Sequence, residues 1–435
     1  MTRLLALFLL LAAPLRAEIA IQEVTSPGGI EAWLVEEHSI PFVALEIRFQ
    51  GGSALDAPGR RGATALMTYT LEEGAGEMDA RAFQTAREDL AARIKFDVFS
   101  DALSVSAQFL TENREEGAAL LREALSNPRF DPDAVDRVRQ QMISSVRSDA
   151  TDPSKIAGLA FAEAAFGPDH PYGTSQDGTV ESLTALTPDD LRAAHAAAIA
   201  RDRVYVAAVG DITPEELGLL IDGLLGDLPE VGAPRPEVAE IGLDPGISVV
   251  PFDTPQSVVV FGHEGIERDD PDYVAAYVIN EILGGSGRQS RLMEEVREKR
   301  GLTYGVYSFL APRDLGDLYQ GRLATGNDTA AAAIEVVRDE WRRLADEGIG
   351  EAELAEAKTY LTGAYPLRFD GNAPIARILV GMQMVGLPTS YVTERNALVE
   401  ALTLDEVNRV AARILRPEDL SFVVVGQPEG LEADG

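Results

Sequence analysis

The side chains in this sequence that could do chemistry are few and scattered. Its four histidines are His38, His170, His195 and His263. No two lie three to five residues apart, the spacing that puts two imidazoles on one helix face to share an ion. A metal site would have to be assembled from distant segments. There is no cysteine, and therefore no thiolate ligand, no disulfide and no thiol for lipid attachment. Glu72 and Glu73 are adjacent carboxylates followed by Gly74. Neighbours on a helix diverge by about 100°, so the pair does not converge on one ion and reads as a helix end. Gly284-Gly285-Ser286-Gly287 has the composition of a phosphate cradle. No Lys-Ser/Thr follows it and no parallel-sheet pattern surrounds it, so it reads as a flexible helix-to-helix connection.

The elements that would position these groups recur in two copies. Leu186-Thr187-Pro188-Asp189-Asp190-Leu191, followed by the apolar run Val204 to Gly210, returns 216 residues later. The second copy is Leu402-Thr403-Leu404-Asp405-Glu406-Val407, leading to Leu420 to Gly426. In each, a Thr precedes an acidic first turn, where its hydroxyl caps free N–H groups and the carboxylates complement the helix dipole. An unchanged register over that distance means duplication of a whole domain of roughly 200 residues.

Strand alternation over Phe42–Phe49 puts Val43, Leu45, Ile47 and Phe49 on one side, and Ala102–Phe109 alternates likewise. Helices are expected over 61–71, 80–90, 114–125 and 133–147, the last opened by Pro132. The second half should hold helices over 272–283 and 290–300, stopped by Gly284-Gly285 and Gly301. Strands and helices mixed in this way predict α+β architecture: two homologous two-layer α/β sandwich domains from internal duplication, packed through their helical layers or joined as a half-clam.

Arg3, an apolar run from Leu4 to Leu15 and Ala17 form an export leader over residues 1–17, too short to span a bilayer. The expected domains are 18–230 and 247–435, joined by a Pro- and Gly-bearing linker over 231–246. No later apolar run reaches about 18 residues, so no membrane anchor should remain after leader cleavage. The chain carries 71 acidic against 38 basic residues, a formal charge of −33. Nucleic acid and anionic membranes repel such a chain. Location outside the cytoplasm, in the periplasm, follows from the leader.

Across the mature chain the sequence resembles the pitrilysin/insulinase family of zinc peptidases, most densely over Ser290–Ser308. That family carries His-x-x-Glu-His on a helix where this chain reads Gly62-Ala63-Thr64-Ala65-Leu66-Met67-Thr68-Tyr69. The first His falls on Ala65, the Glu on Thr68 and the second His on Tyr69. Counting back from Asp152-Pro153, the third ligand falls at Ser144 or Ser145, with Ser145 preferred. A methyl, two hydroxyls and a phenol do not supply the ligands zinc requires. The resemblance also makes His170-Pro171-Tyr172-Gly173 a structural turn with His170 bonding backbone.

What persists is an Arg and a Tyr seven residues apart, Arg297 and Tyr304. In that family the pair reaches the substrate at the other half's metal centre, where guanidinium and phenol stabilise the oxyanion of the tetrahedral intermediate. A purely structural account is a helix-surface Arg297 beside Glu294 and a Tyr304 packed on a core. The resemblance implies a zinc-free subunit of the complex: no cofactor in this chain, zinc in a sister subunit, unfolded peptides as substrates, and Arg297 and Tyr304 acting in trans. Two other functions remain open at this point, a peptide-binding or structural scaffold and an autonomous peptidase with unrecognised ligands.

Overall fold

The structure is a computed structural model that describes residues 19–285 and 289–431. The leader at 1–17, and Ser286 and Gly287 of the glycine run, lie outside the described residues. The first half contributes β1 (Gln22–Thr25), β2 (Glu31–Glu36), β3 (Phe42–Gln50), a short hairpin of β4 (Gly74–Ala75) and β5 (Met78–Asp79), β6 (Arg93–Val98), β7 (Ala102–Leu110) and β8 (Val204–Gly210). The second contributes β9 (Gly246–Pro251), β10 (Gln256–Glu264), β11 (Thr303–Ala311), β12 (Leu318–Gly326) and β13 (Ser421–Gly426).

The sheets run β1-β2-β8-β3-β7-β6 and β9-β13-β10-β12-β11. In the first, β2 pairs parallel with β8 and the rest pair antiparallel; in the second, β9 and β13 form the matching parallel pair. The duplicated segments occupy equivalent places. Thr187 and Thr403 each cap a helix (Pro188–Ala198 and Leu404–Ile414) in a closed capping box, before β8 and β13 respectively.

One face of each sheet packs on its own half's helices. Val43, Leu45, Ile47 and Phe49 meet Leu66, Phe83 and Leu121 in the first core. Val259 and Phe261 meet Ile279, Trp341 and Val410 in the second.

The halves do not meet through these helical layers, one of the two arrangements expected from the sequence; they exchange helices across the opposite faces of the sheets. Helix Pro153–Phe166 of the first half lays Ala157, Phe161 and Ala165 on Val258, Val260, Val423 and Val425 of the second sheet. Helix Asn372–Met384 of the second half lays Ala376, Leu379 and Val380 on Ala44, Ala207 and Val209 of the first. The central strands β8, β10 and β13 are thereby buried on both faces, which is why they read as near-continuous apolar runs, whereas β3 keeps Glu46 and Arg48 on the face that the exchanged helix covers only in part. Each fully buried aliphatic chain contributes about 1.5–3 kcal/mol, so the exchange holds the halves together firmly. No helix among the described residues is long and apolar enough to cross a membrane.

The segment between the halves has neither strand nor helix from 229 to 244. It is extended but docked: Ala239 N–H donates to the Leu315 carbonyl at 2.8 Å and Gly242 N–H to the Ala165 carbonyl at 2.8 Å.

Candidate functional site

The helix that would carry a metal motif spans Ala63–Thr70. Its start is held by Asp56, whose carboxylate accepts the Gly62 and Thr64 N–H groups, both at 2.8 Å, and the Thr64 hydroxyl at 2.6 Å. Ala65 and Thr68 are fully buried, and the Thr68 hydroxyl donates back to the Thr64 carbonyl at 2.7 Å. Neither presents a group to solvent. Only Tyr69 opens outward. It shares a cleft of about 280 Å³ with Ser145, on helix Pro132–Asp149, and with Asp177.

Asp177 is a residue the sequence reading missed; it lies far along the chain in a turn before Gly178, and nothing in its neighbours marks it. One of its carboxylate oxygens is buried without a hydrogen-bond partner. Burial and the nearby Asp149 push its carboxyl up, against the pull of Lys155. Burial, Asp177 and Asp97 together push the Tyr69 phenol up.

The cleft therefore offers one carboxylate, one phenol, one hydroxyl and the Gln141 amide. Among the described residues no group of three His, Cys, Asp or Glu side chains could hold an ion. The donors present do not fit zinc. Glu72 and Glu73 do not supply the deficit, since Glu72 pairs with Arg87 at 2.5 Å and Glu73 with Arg137.

The four histidines are all engaged elsewhere. His38 bonds Asp211 at 2.8 Å and Glu36 at 3.0 Å. His170 Nδ1 accepts the Tyr172 N–H at 3.1 Å, forming the expected turn. His195 Nε2 bonds the Leu125 carbonyl at 2.8 Å. His263 is buried against Trp341.

The second constellation is built differently. The helix expected over 290–300 widens into a π-turn over Met293–Glu298, a form that recurs at functional sites because it re-aims side chains. Arg297 lies on this turn. Gly301, at φ 65°, ends it in the left-handed region that glycine adopts without strain. β11 then opens with a register shift against β12 between Thr303 and Val306. Such a bulge bends the strand and redirects its side chains. Tyr304, inside the bulge, is 86% exposed. Arg297 and Tyr304 line one cleft of about 400 Å³ with Gln256, Thr303 and Thr325. The threonine hydroxyls are spent on backbone: Thr303 donates to the Ala324 carbonyl at 2.6 Å and Thr325 to the Leu302 carbonyl at 2.5 Å.

Neither structural explanation of the pair matches this geometry. Glu294 is taken by Lys299 at 2.9 Å. Glu295 is bound by Lys299 and Arg300, which hold its carboxyl down to about 2. Among the described residues no carboxylate pairs with Arg297, although the chain has 71 acidic residues. Tyr304 packs on no core. The structure thus brings Arg297 and Tyr304 together in the second half and Tyr69 and Ser145 together in the first. The two clefts share no residue.

Duplicated sandwiches with exchanged helices, one lacking ligands at its motif helix and the other presenting an Arg and a Tyr, define the class: a metallopeptidase-like scaffold with no metal-ligating cluster among the described residues. Residues 185–361 match the family model described as Peptidase M16 inactive domain. A "Non-peptidase homolog YmxG" of Helicobacter pylori is 26% identical over 425 residues, covering 98% of this chain and 97% of that one. An "Uncharacterized zinc protease" of Streptomyces coelicolor is 25% identical, covering 93% and 89%. A crystal structure of a peptidase M16 inactive domain from Pseudomonas fluorescens superposes with a TM-score of 0.88 at 29% identity, covering 95% of this chain and 99% of that one. The chain is thus similar to the M16 peptidases, over residues 185–361 by the family model and over 95% of its length by the Pseudomonas fluorescens structure, in a form without the His-x-x-Glu-His motif.

Proposed function

We propose that this chain is the non-catalytic member of a two-chain periplasmic zinc peptidase, and that Arg297 and Tyr304 complete the active site of a zinc-bearing sister subunit. The observation that supports it most is that both side chains face one cleft while finding no ion-pair or hydrogen-bond partner within the described chain. A guanidinium left free beside carboxylates that other cations occupy is available for an external ligand.

In the complex the phenol O–H and the guanidinium would donate to the carbonyl oxygen of the scissile bond as negative charge develops on it. The ion, held by the sister chain, would supply the Lewis acidity that this chain's residues do not. Unfolded peptides are the substrates this reading implies, bound through backbone hydrogen bonds that ask little of sequence.

The test uses the purified chain, its sister and a quenched fluorescent peptide. The chain alone should hold no stoichiometric zinc by elemental analysis and cleave nothing, with activity appearing on mixing. Tightly bound zinc in the lone chain, or cleavage by it, overturns the proposal.

A further inference from the structure

The cleft at the replaced metal positions keeps its polar groups unspent. Val138 and Met142, both buried, form its apolar part, and Tyr69, Gln141, Ser145 and Asp177 supply the polar groups. None of these four side chains makes a hydrogen bond or ion pair with another described residue. Elsewhere the groups that could do chemistry are engaged: the histidines, Glu72, Glu73 and the hydroxyls of Thr303 and Thr325 all have partners.

Asp177 is held in this cleft by backbone packing. Its turn abuts the start of the motif helix so closely that a side chain at Gly62 would meet the Asp177 carbonyl at 2.7 Å. The Ser182 hydroxyl donates to the Arg61 carbonyl at 2.8 Å and ties the next helix, Val180–Ala185, to the same place. Asp177 Oδ1 is buried without a partner, which leaves Oδ2 as the oxygen open to the cleft. Lys155 is near enough to act on this carboxyl but forms no ion pair with it, and Asp149 acts in the opposite sense. Asp97 acts on the Tyr69 phenol. The carboxylate thus has no counter-ion of its own among the described residues, in a chain whose net charge of −33 attracts cations.

The donors and acceptors present select among cations. A guanidinium fork is matched by both oxygens of a carboxylate, and here one of the two is closed off. A primary ammonium is a compact charge with three N–H donors, and it is satisfied by single oxygens arriving from different directions. Val138 and Met142 offer a surface for an aliphatic stem, and the Tyr69 ring a face for the cation. At about 280 Å³ the cleft suits a small group rather than a drug-sized ligand.

We propose that this cleft binds a primary alkylammonium group, which donates to Asp177 Oδ2, the Ser145 hydroxyl and the Gln141 carbonyl beside the Tyr69 ring, with its methylene stem on Val138 and Met142. Two of the positions aligned with zinc ligands then serve an organic cation. The site belongs to the first half of the chain and requires neither a sister subunit nor a metal, so it stands independently of the Arg297–Tyr304 cleft. The ammonium can be that of a free aliphatic amine or of a lysine side chain.

The experiment is saturation-transfer difference NMR on the lone, full chain, titrated with n-pentylammonium. Binding should saturate, and uncharged pentanol should not compete. Asp177→Asn keeps the shape and removes the charge, and should weaken binding about tenfold or more, the loss expected for one charge-assisted hydrogen bond. Asp339→Asn makes the same charge change at a side chain that is 73% exposed and should leave binding unchanged. Gln141→Ala/Ser145→Ala alters two exposed positions of one helix and should weaken binding about fivefold or more. If Asp177→Asn does not fold, this double variant decides alone. Nα-acetyl-lysine methylamide competing as well as pentylammonium assigns the site to lysine side chains, and failure to compete assigns it to free amines; ammonium recognition stands in both cases. The inference is overturned if binding does not saturate, if Asp177→Asn binds like wild type, or if n-pentylguanidinium binds as tightly as n-pentylammonium. Because no sister chain is present, any of these results leaves the trans-acting role of Arg297 and Tyr304 untouched.

Discussion

His263 provides a stability switch whose size follows from its surroundings. It is 1% exposed, on β10, with Trp341 Nε1–H donating to its Nε2 at 3.0 Å and its Nδ1 2.6 Å from the Glu264 carbonyl. That arrangement requires the neutral ring with the proton on Nδ1, because Nε2 must accept. Protonation would place a second donor against the indole N–H and bury a charge. Burial, chiefly, pushes the imidazole down to about 4 from 6.5, with the Glu264 carbonyl opposing. The folded value is depressed, so the unfolded chain takes up the proton first as pH falls. Stability contributed by the neutral ring is complete above about pH 6.5 and is lost progressively as pH drops towards 4. At about 1.4 kcal/mol per unit, the loss across that window is about 3 kcal/mol.

Urea unfolding at a series of pH values between these limits measures it. His195 is also depressed by burial and carboxylates titrate in the same range, so the control is His263→Gln. Its amide can accept from Trp341 and donate to the Glu264 carbonyl without titrating. The difference in unfolding free energy between wild type and His263→Gln should shrink by about 3 kcal/mol from pH 6.5 to pH 4. A difference that stays flat with pH would refute the reasoning.

Other expectations concern the site and the joint between halves. In the reconstituted two-chain enzyme, Tyr304→Phe should lower kcat by about 10²–10³, the usual cost of one oxyanion donor. Arg297→Ala should lower kcat/KM as well. Because Tyr304 is 86% exposed, its variant's melting curve should overlay the wild type, and unchanged kinetics would dismiss the oxyanion role. Leu379→Ala empties a fully buried position between helix Asn372–Met384 and the first sheet and should cost about 2–5 kcal/mol in urea unfolding. A cost below about 1 kcal/mol would mean the exchanged helix does not hold the halves. Thr403→Ala removes one half of a capping box and should cost about 1 kcal/mol, readable as a lowered urea midpoint.

The elements legible in the sequence were those whose signals are local. Alternation marked β3 and β7, Pro132 marked the start of a helix, and Thr187 and Thr403 marked equivalent caps 216 residues apart. The replaced motif positions Ala65, Thr68, Tyr69 and Ser145, and the spacing of Arg297 and Tyr304, needed only residue types and the family resemblance. The helix expected near Arg297 was right in place but wrong in winding. A π-turn costs one residue of register and leaves no mark in a hydrophobic pattern. The bulge that exposes Tyr304 is equally silent, since it depends on how β11 meets β12.

Other features depended on surfaces that meet only once the chain is folded. Helices Pro153–Phe166 and Asn372–Met384 were not among the expected elements, and nothing local says that each covers the other half's sheet. Asp177 joins Tyr69 and Ser145 from more than a hundred residues past Tyr69. Periodicity and turn chemistry act between neighbours along the chain and so determined the duplication and the elements that carry local signals, while the replaced ligand positions rest on the family resemblance. The joint, the bulged Arg–Tyr cleft and the gathering of Tyr69, Ser145 and Asp177 come from packing between distant segments, and only the tertiary structure decided them.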